Sequence, residues 1–127
     1  MVDYTDLLGV QYKKNGRDKK GLDCYGLVKT IYDRMGRDLP DYDTPDETSL
    51  IYELVNDVKQ ESFTKLTEPQ EGCIVLFSLA PFSLHMGIVL HDKERFVHIL
   101  ENRNVAVEKL NHRIWSKLLI GYYEWKI

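Results

Sequence analysis

"GLDCYGLVKTIYDRMG", residues 21–36, decides how this chain folds. From Cys24 onward, Leu27, Val28, Ile31, Tyr32 and Met35 recur at the three- and four-residue intervals of a single helix face. Asp23 suits the N-cap, where its side chain satisfies a free N–H of the first turn. Gly36 suits the left-handed residue that ends a helix, and Pro40 follows. The stretch predicts an amphipathic helix whose first residue is a cysteine. A thiol there meets unsatisfied N–H groups and the positive end of the helix dipole, which favour its thiolate. A cysteine on an apolar stripe suits core packing equally well. Position alone leaves both readings open, and partners elsewhere in the chain must discriminate.

Working outward toward the N-terminus, "DYTDLLG" predicts a short helix opened by Asp3. The loop that follows, "VQYKKNGRDKKG", crowds Lys13, Lys14, Arg17, Lys19 and Lys20 ahead of Cys24. Such a run is usually a solvated loop; it also suits attraction of a carboxylate-bearing substrate and stabilisation of a thiolate. The first residues lack a basic leader with an apolar core, so no signal peptide is expected, and synthesis in the cytoplasm is. A reducing compartment argues against a Cys24–Cys73 bond. Two cysteines are too few for a disulfide scaffold or a four-cysteine zinc site. At 127 residues the chain has the length of a single domain, expected to span 1–127. A net charge of -3 excludes broad attraction to nucleic acid or anionic membranes.

Working toward the C-terminus, "TPDE" announces a second helix over residues 44–58. Thr44 serves as cap, Pro45 as first helical residue and Glu47 as the third position of a capping box. Leu50, Ile51, Leu54, Val55 and Val58 supply its buried face. After Gly72 the apolar period changes to two. "CIVLFSL", "HMGIVLH", "RFVHIL" and "NVAVEKL" predict strands separated by turns at Pro81, Asp92 and 102–104. "HRIWSKL" predicts one helical turn and "IGYYEWKI" a last strand. The fold class is α+β: N-terminal helices packed on a C-terminal antiparallel sheet.

The histidines give Cys24 its partners. His85 and Gly87 share one face of their strand, as Phe96 and His98 do of the next. A two-residue loop in "HDKE" sets His91 opposite Glu94 and Gly87 opposite His98. His85 and His98 then become diagonal neighbours on one face, with space left by the glycine. Cysteine plus two such histidines is a nucleophile–base–orienter pattern: Cys24 attacks, His85 carries the proton and His98 holds the tautomer of His85. A zinc site from the same three residues ranks lower, because no two of them sit at the short spacing of a ligand pair. No metal or cofactor is expected. His91 and His112 are expected to face solvent.

These motifs, in this order, resemble the NlpC/P60 family of cell-wall cysteine peptidases, a compact papain-like fold. "GLDCYGLV" is similar to its nucleophile motif, "HMGIVL" to its His-Val-Gly-Ile strand, "RFVHI" to the next strand, and "EPQEGCIVLF" to its Pro-Gly-Asp turn. Tyr12 falls where many members have a tyrosine that helps form the oxyanion pocket. The resemblance places Tyr12, Asp23 and Tyr25 around the oxyanion and substrate. Tyr25 stands where most members have serine, which looks like the branch found in phage tail and prophage proteins. Cys73 replaces the usual aspartate. The resemblance implies hydrolysis of peptidoglycan stem peptides, at the bond after D-γ-glutamate, with phage tail proteins as carriers to the wall. A non-enzymatic tail-assembly module on the same fold, or an amidase or acyltransferase of the superfamily, are the alternatives.

Overall fold

The structure is a computed structural model that describes residues 1–40, 51, 63–80 and 83–125. Its N-terminal part holds a 3-10 turn at Thr5–Leu7, the two-residue strands β1 (Arg17–Asp18) and β2 (Gly21–Leu22), and helix α1 (Cys24–Arg34). The loop expected between the first turn and α1 thus closes on itself as an antiparallel hairpin, β1 with β2. Helix α1 begins and ends as its sequence predicts. Asp23 accepts the Gly26 N–H at 2.7 Å. At the other end Gly36 takes φ 75. Its N–H donates to the Asp33 carbonyl and that of Arg37 to the Tyr32 carbonyl, the paired bonds of a Schellman cap. The stripe is buried from Cys24 through Tyr32, whereas Met35, at the cap, is exposed.

The remaining described elements are β3 (Phe63–Leu66), β4 (Ile74–Ala80), β5 (Ser83–Val89), β6 (Arg95–His98), β7 (Ala106–Lys109), helix α2 (Arg113–Leu118) and β8 (Leu119–Trp125). Strands β3 to β8 form one antiparallel sheet in the order β3-β8-β4-β5-β6-β7. The α+β class is as expected. Strand β3 lies ahead of Gly72, in a stretch whose signals read as helical. It is four residues long, too short to display a period, and its pairing partner β8 is remote in sequence. The helix expected over 44–58 lies outside the described residues apart from Ile51, which is helical and buried.

Alternation along the strands builds two apolar layers. Ile74, Leu76, Met86, Ile88 and Val97 pack with the α1 stripe. Cys73, Val75, Phe77, Val89 and Phe96 face the other way and are covered by Trp115 of α2. Burial of this apolar area on both sides of the sheet is the main source of stability.

The candidate active site

The β5–β6 hairpin determines how the histidines meet. Ile88 pairs with Val97 and Val89 with Phe96, so continuation of that register sets Gly87 against His98, as expected. The loop itself differs. The Leu90 N–H donates to the Arg95 carbonyl and the Lys93 N–H to the Leu90 carbonyl, leaving four loop residues and no His91–Glu94 pair. Asp92 causes this, accepting from the N–H groups of Glu94 and Arg95 and from the Arg95 guanidinium at 2.6 Å. Opening one pair at the tip while keeping the centre of the turn leaves the register unchanged. Gly87 supplies the room: a Cβ there would lie 2.7 Å from the Val97 carbonyl oxygen and 3.2 Å from the His98 Cβ.

Nε2 of His85 lies 2.9 Å from Nδ1 of His98, and both rings are buried. Phe77 stacks on His85 with centroids 6.1 Å apart, Phe96 lies beside His98, and Trp115 closes edge-on against His98 at 4.8 Å. Sequence reasoning did not find this aromatic enclosure. Pairing of β4 with β5 sets Phe77 opposite His85, but nothing local announces Trp115. Burial, reinforced for His85 by the neighbouring imidazole, holds both pKa values well below the ordinary histidine range. The pair is therefore neutral at pH 7.

This has a consequence for stability. The unfolded chain takes up protons near pH 6.5 that the folded pair refuses, so the folded state loses stability as pH falls through 6.5 toward about 4, where His98 itself titrates. The slope is expected to reach about 1.4 kcal/mol per pH unit for each histidine. Asp6 and Asp92, both held below the usual carboxylate range mainly by hydrogen bonds, act only at lower pH. Urea midpoints at pH 7, 6 and 5 should fall steadily, and less steeply in His98→Asn; a flat profile over this window would contradict the buried neutral pair.

Cys24 occupies the first position of α1 and is fully buried within the layer between α1 and the sheet. Helix α1 packs on β5 and β6, so the helix that starts with the thiol lies against the strands that carry the histidines. The turn before it is tightly held. Asp23 accepts from Gly26 N–H, from the Asn15 N–H at 3.1 Å and from the Arg17 guanidinium at 2.8 Å. Burial pushes its carboxyl up from the usual range and these donors pull it back. Arg17 also donates to the Gly16 carbonyl and lies over the Tyr25 ring. Arg17 is a second residue that sequence reasoning passed over, having the look of one solvated cation among five. Lys13, Lys14, Lys19 and Lys20 are exposed, Lys19 pairing with Asp6.

Tyr12 is half-buried and bridged by its backbone to Leu22, two residues ahead of the thiol. Asp23 and Tyr25, expected around the substrate, are both buried. Asp23 is the cap just described, and the Tyr25 hydroxyl donates to the Pro40 carbonyl beneath the helix. His91 and His112 are exposed, with Nδ1 of His112 accepting the Ile114 N–H at the start of α2. Among the described residues, no group of three His, Cys, Asp or Glu side chains is gathered to hold a metal ion.

Cys73 is buried at the start of β4, and burial pushes its thiol up to about 11. At pH 7 about one molecule in ten thousand then carries a Cys73 thiolate. Cys24 has the helix N-terminus to favour its anion. Iodoacetamide at neutral pH is expected to alkylate Cys24 first, as read by peptide mass mapping. Equal or reversed rates would argue against Cys24 as nucleophile.

An α+β domain that sets a helix-first cysteine against strands bearing a hydrogen-bonded histidine pair defines the class of protein. Residues 9–124 match the model of the NlpC/P60 family, and the chain belongs to that family. It is 31% identical over 118 residues, 92% of this chain, to the murein DD-endopeptidase MepS/murein LD-carboxypeptidase of Escherichia coli K12. It is 26% identical over 112 residues, 86% of this chain, to a probable endopeptidase of Haemophilus influenzae. The chain spans 56% and 62% of the length of these two relatives. Among solved structures, an NLP/P60-family lipoprotein-like protein of Staphylococcus aureus matches with TM-score 0.68 and 23% identity, over 96% of this chain and 38% of that one. The NlpC/p60 domain of the peptidoglycan hydrolase SagA matches with TM-score 0.61 and 20% identity, over 96% and 91%. These two support the fold.

Proposed function

We propose that this chain is a cysteine peptidase that hydrolyses an amide bond in peptidoglycan stem peptides, the bond after D-γ-glutamate. The observation that carries the reading is the 2.9 Å contact between His85 Nε2 and His98 Nδ1, on strands β5 and β6, against which helix α1 packs. If the base is to offer a lone pair on Nδ1, the proton of neutral His85 sits on Nε2 and is donated to His98 Nδ1. His98 then carries its own proton on Nε2. His85 accepts the Cys24 proton and the thiolate adds to the substrate carbonyl. The oxyanion is held by the Tyr12 hydroxyl with backbone N–H groups of the α1 start. Collapse breaks the C–N bond and leaves a thioester, while the leaving amine takes the proton from His85. Neutral His85 next removes a proton from water, which hydrolyses the thioester and restores the thiol.

The finer assignment, a hydrolase carried to the wall on a phage tail, draws its support from Tyr25 after the nucleophile. The test of function is incubation of purified protein with muropeptides beside a Cys24→Ala control. New products that vanish with the control support the peptidase, and mass spectrometry identifies the bond. Muropeptides unchanged by the intact chain would overturn it in favour of a non-enzymatic module.

A further inference from the structure

The cap that starts α1 opposes a thiolate beside it. Asp23 immediately precedes Cys24, and both side chains are buried. The Asp23 carboxyl accepts from three donors: the Gly26 N–H, the Asn15 N–H and the Arg17 guanidinium. Donors on both oxygens hold it in the acceptor-only, ionised form. An anion one residue away disfavours a Cys24 thiolate, and at this depth water does not screen the two.

Arg17 is the charge placed to offset it. Its Nη1 donates to Asp23 Oδ1 and to the Gly16 carbonyl, both at 2.8 Å. Its Cζ lies over the Tyr25 ring, 5.6 Å from the centre. A Cβ on Gly26 would meet Arg17 Nη1 and Asp23 Oδ1 at 3.1 Å each, so the ion pair sits against the first turn of α1. Lys13, Lys14, Lys19 and Lys20, by contrast, are exposed. Of the strands packed on α1, β5 brings His85 and β6 brings His98, the neutral pair. Strand β6 also carries Arg95, bound to Asp92; β1 adds the exposed Asp18 and β2 nothing ionisable.

We propose that Arg17 is a positioning residue that acts on Cys24 through Asp23. It cancels the charge of the capping carboxylate, so that the helix N-terminus still favours the thiolate. A guanidinium suits this place better than an ammonium, because one nitrogen bridges carbonyl and carboxylate while the cation lies over the Tyr25 ring. Its bearing on turnover rests on the peptidase reading, while the thiolate itself is read without substrate.

The experiment follows iodoacetamide labelling of Cys24 between about pH 5 and 10, read by peptide mass mapping. The midpoint of the profile reports the stability of the thiolate, and the plateau rate reports access to the thiol. Arg17→Gln is expected to move the midpoint up by about one pH unit, an about tenfold loss of labelling rate below it. Arg17→Lys keeps the charge and should move it less. Asp23→Asn keeps a capping oxygen without the charge and should move it down. The double variant Arg17→Gln with Asp23→Asn should return it close to that of the intact chain. A merely structural Arg17 would change plateau rates and Tm and leave the midpoints in place. An unmoved midpoint in Arg17→Gln, or no recovery in the double variant, would overturn the proposal. Where Arg17→Gln does not fold, Asp23→Asn decides: a midpoint that fails to fall would overturn it. Turnover of L-alanyl-D-γ-glutamyl-L-lysine is measured in parallel. Midpoints that move as expected, with no turnover by the intact chain, would refute the peptidase and leave the role of Arg17 standing; turnover with unmoved midpoints would do the opposite.

Discussion

His85→Ala is expected to lower turnover of a stem peptide by about a thousandfold or more, the largest effect of any change outside Cys24. It removes the group that is neutral at pH 7 and that, in the proposed mechanism, carries the proton twice, once from thiol to leaving amine and once from water. In the proposed mechanism His98 acts on the reaction through His85, its hydrogen-bond partner. Its loss frees Nε2 of His85, so the ring can turn over or put its proton on the wrong nitrogen. His98→Ala should therefore cost about tenfold to a hundredfold in kcat with KM little changed. His98→Gln or His98→Asn should recover part of that loss, because an amide oxygen can accept the His85 Nε2–H bond. A purely structural His98 would show neither the kcat-against-KM split nor amide rescue. Circular dichroism and Tm on each variant separate the loss of chemistry from the loss of fold. Activity of His85→Ala near that of the intact chain would rule out this mechanism.

The second large effect concerns the fold beneath Cys24. Gly26, two residues after Cys24, lies against the β1–β2 hairpin, and a Cβ there would sit 2.0 Å from the Gly16 carbonyl oxygen. Gly16 cannot retreat, since a Cβ on it would in turn lie 2.2 Å from the Gly21 carbonyl oxygen. Both obstacles are backbone. Helix propensity favours alanine over glycine by about 1 kcal/mol, and the overlap outweighs it. Gly26→Ala is expected to cost about 3 kcal/mol, a fall in Tm of about 10 °C, and to displace Cys24 with loss of activity. Gly36→Ala makes the comparison: open space surrounds it, and only its positive φ resists the side chain, so about 1 kcal/mol is expected. Thermal melts of the two variants would show the difference. A Gly26→Ala variant as stable as Gly36→Ala would mean the hairpin does not hold the helix start.

Much of this architecture is legible in the amino-acid sequence. The α1 stripe, the Asp23 cap and the Gly36 terminus are local, set by side chains within a turn of one another. The histidine pairing is legible too, since a hairpin's register depends on parity: a loop of two or four residues about the same centre gives the same faces. The His91–Glu94 pair does not form because the Asp92 side chain competes for the N–H groups at the tip.

What the sequence alone determined, then, is what short-range periodicity and capping encode: the cysteine-first helix, the strands after Gly72 and the shared face of His85 and His98. Tertiary structure decided the rest. Strand β3 exists only by pairing with β8, and the enclosure of the histidines only by the arrival of Trp115 from α2. Arg17 was separated from its neighbouring lysines, and the Tyr25 hydroxyl given its place, by which partner each could reach: the Asp23 carboxylate and the Pro40 carbonyl. Such choices depend on desolvation. A charge or hydroxyl with no local signature is fixed by whichever complementary group the folded chain has removed from water beside it.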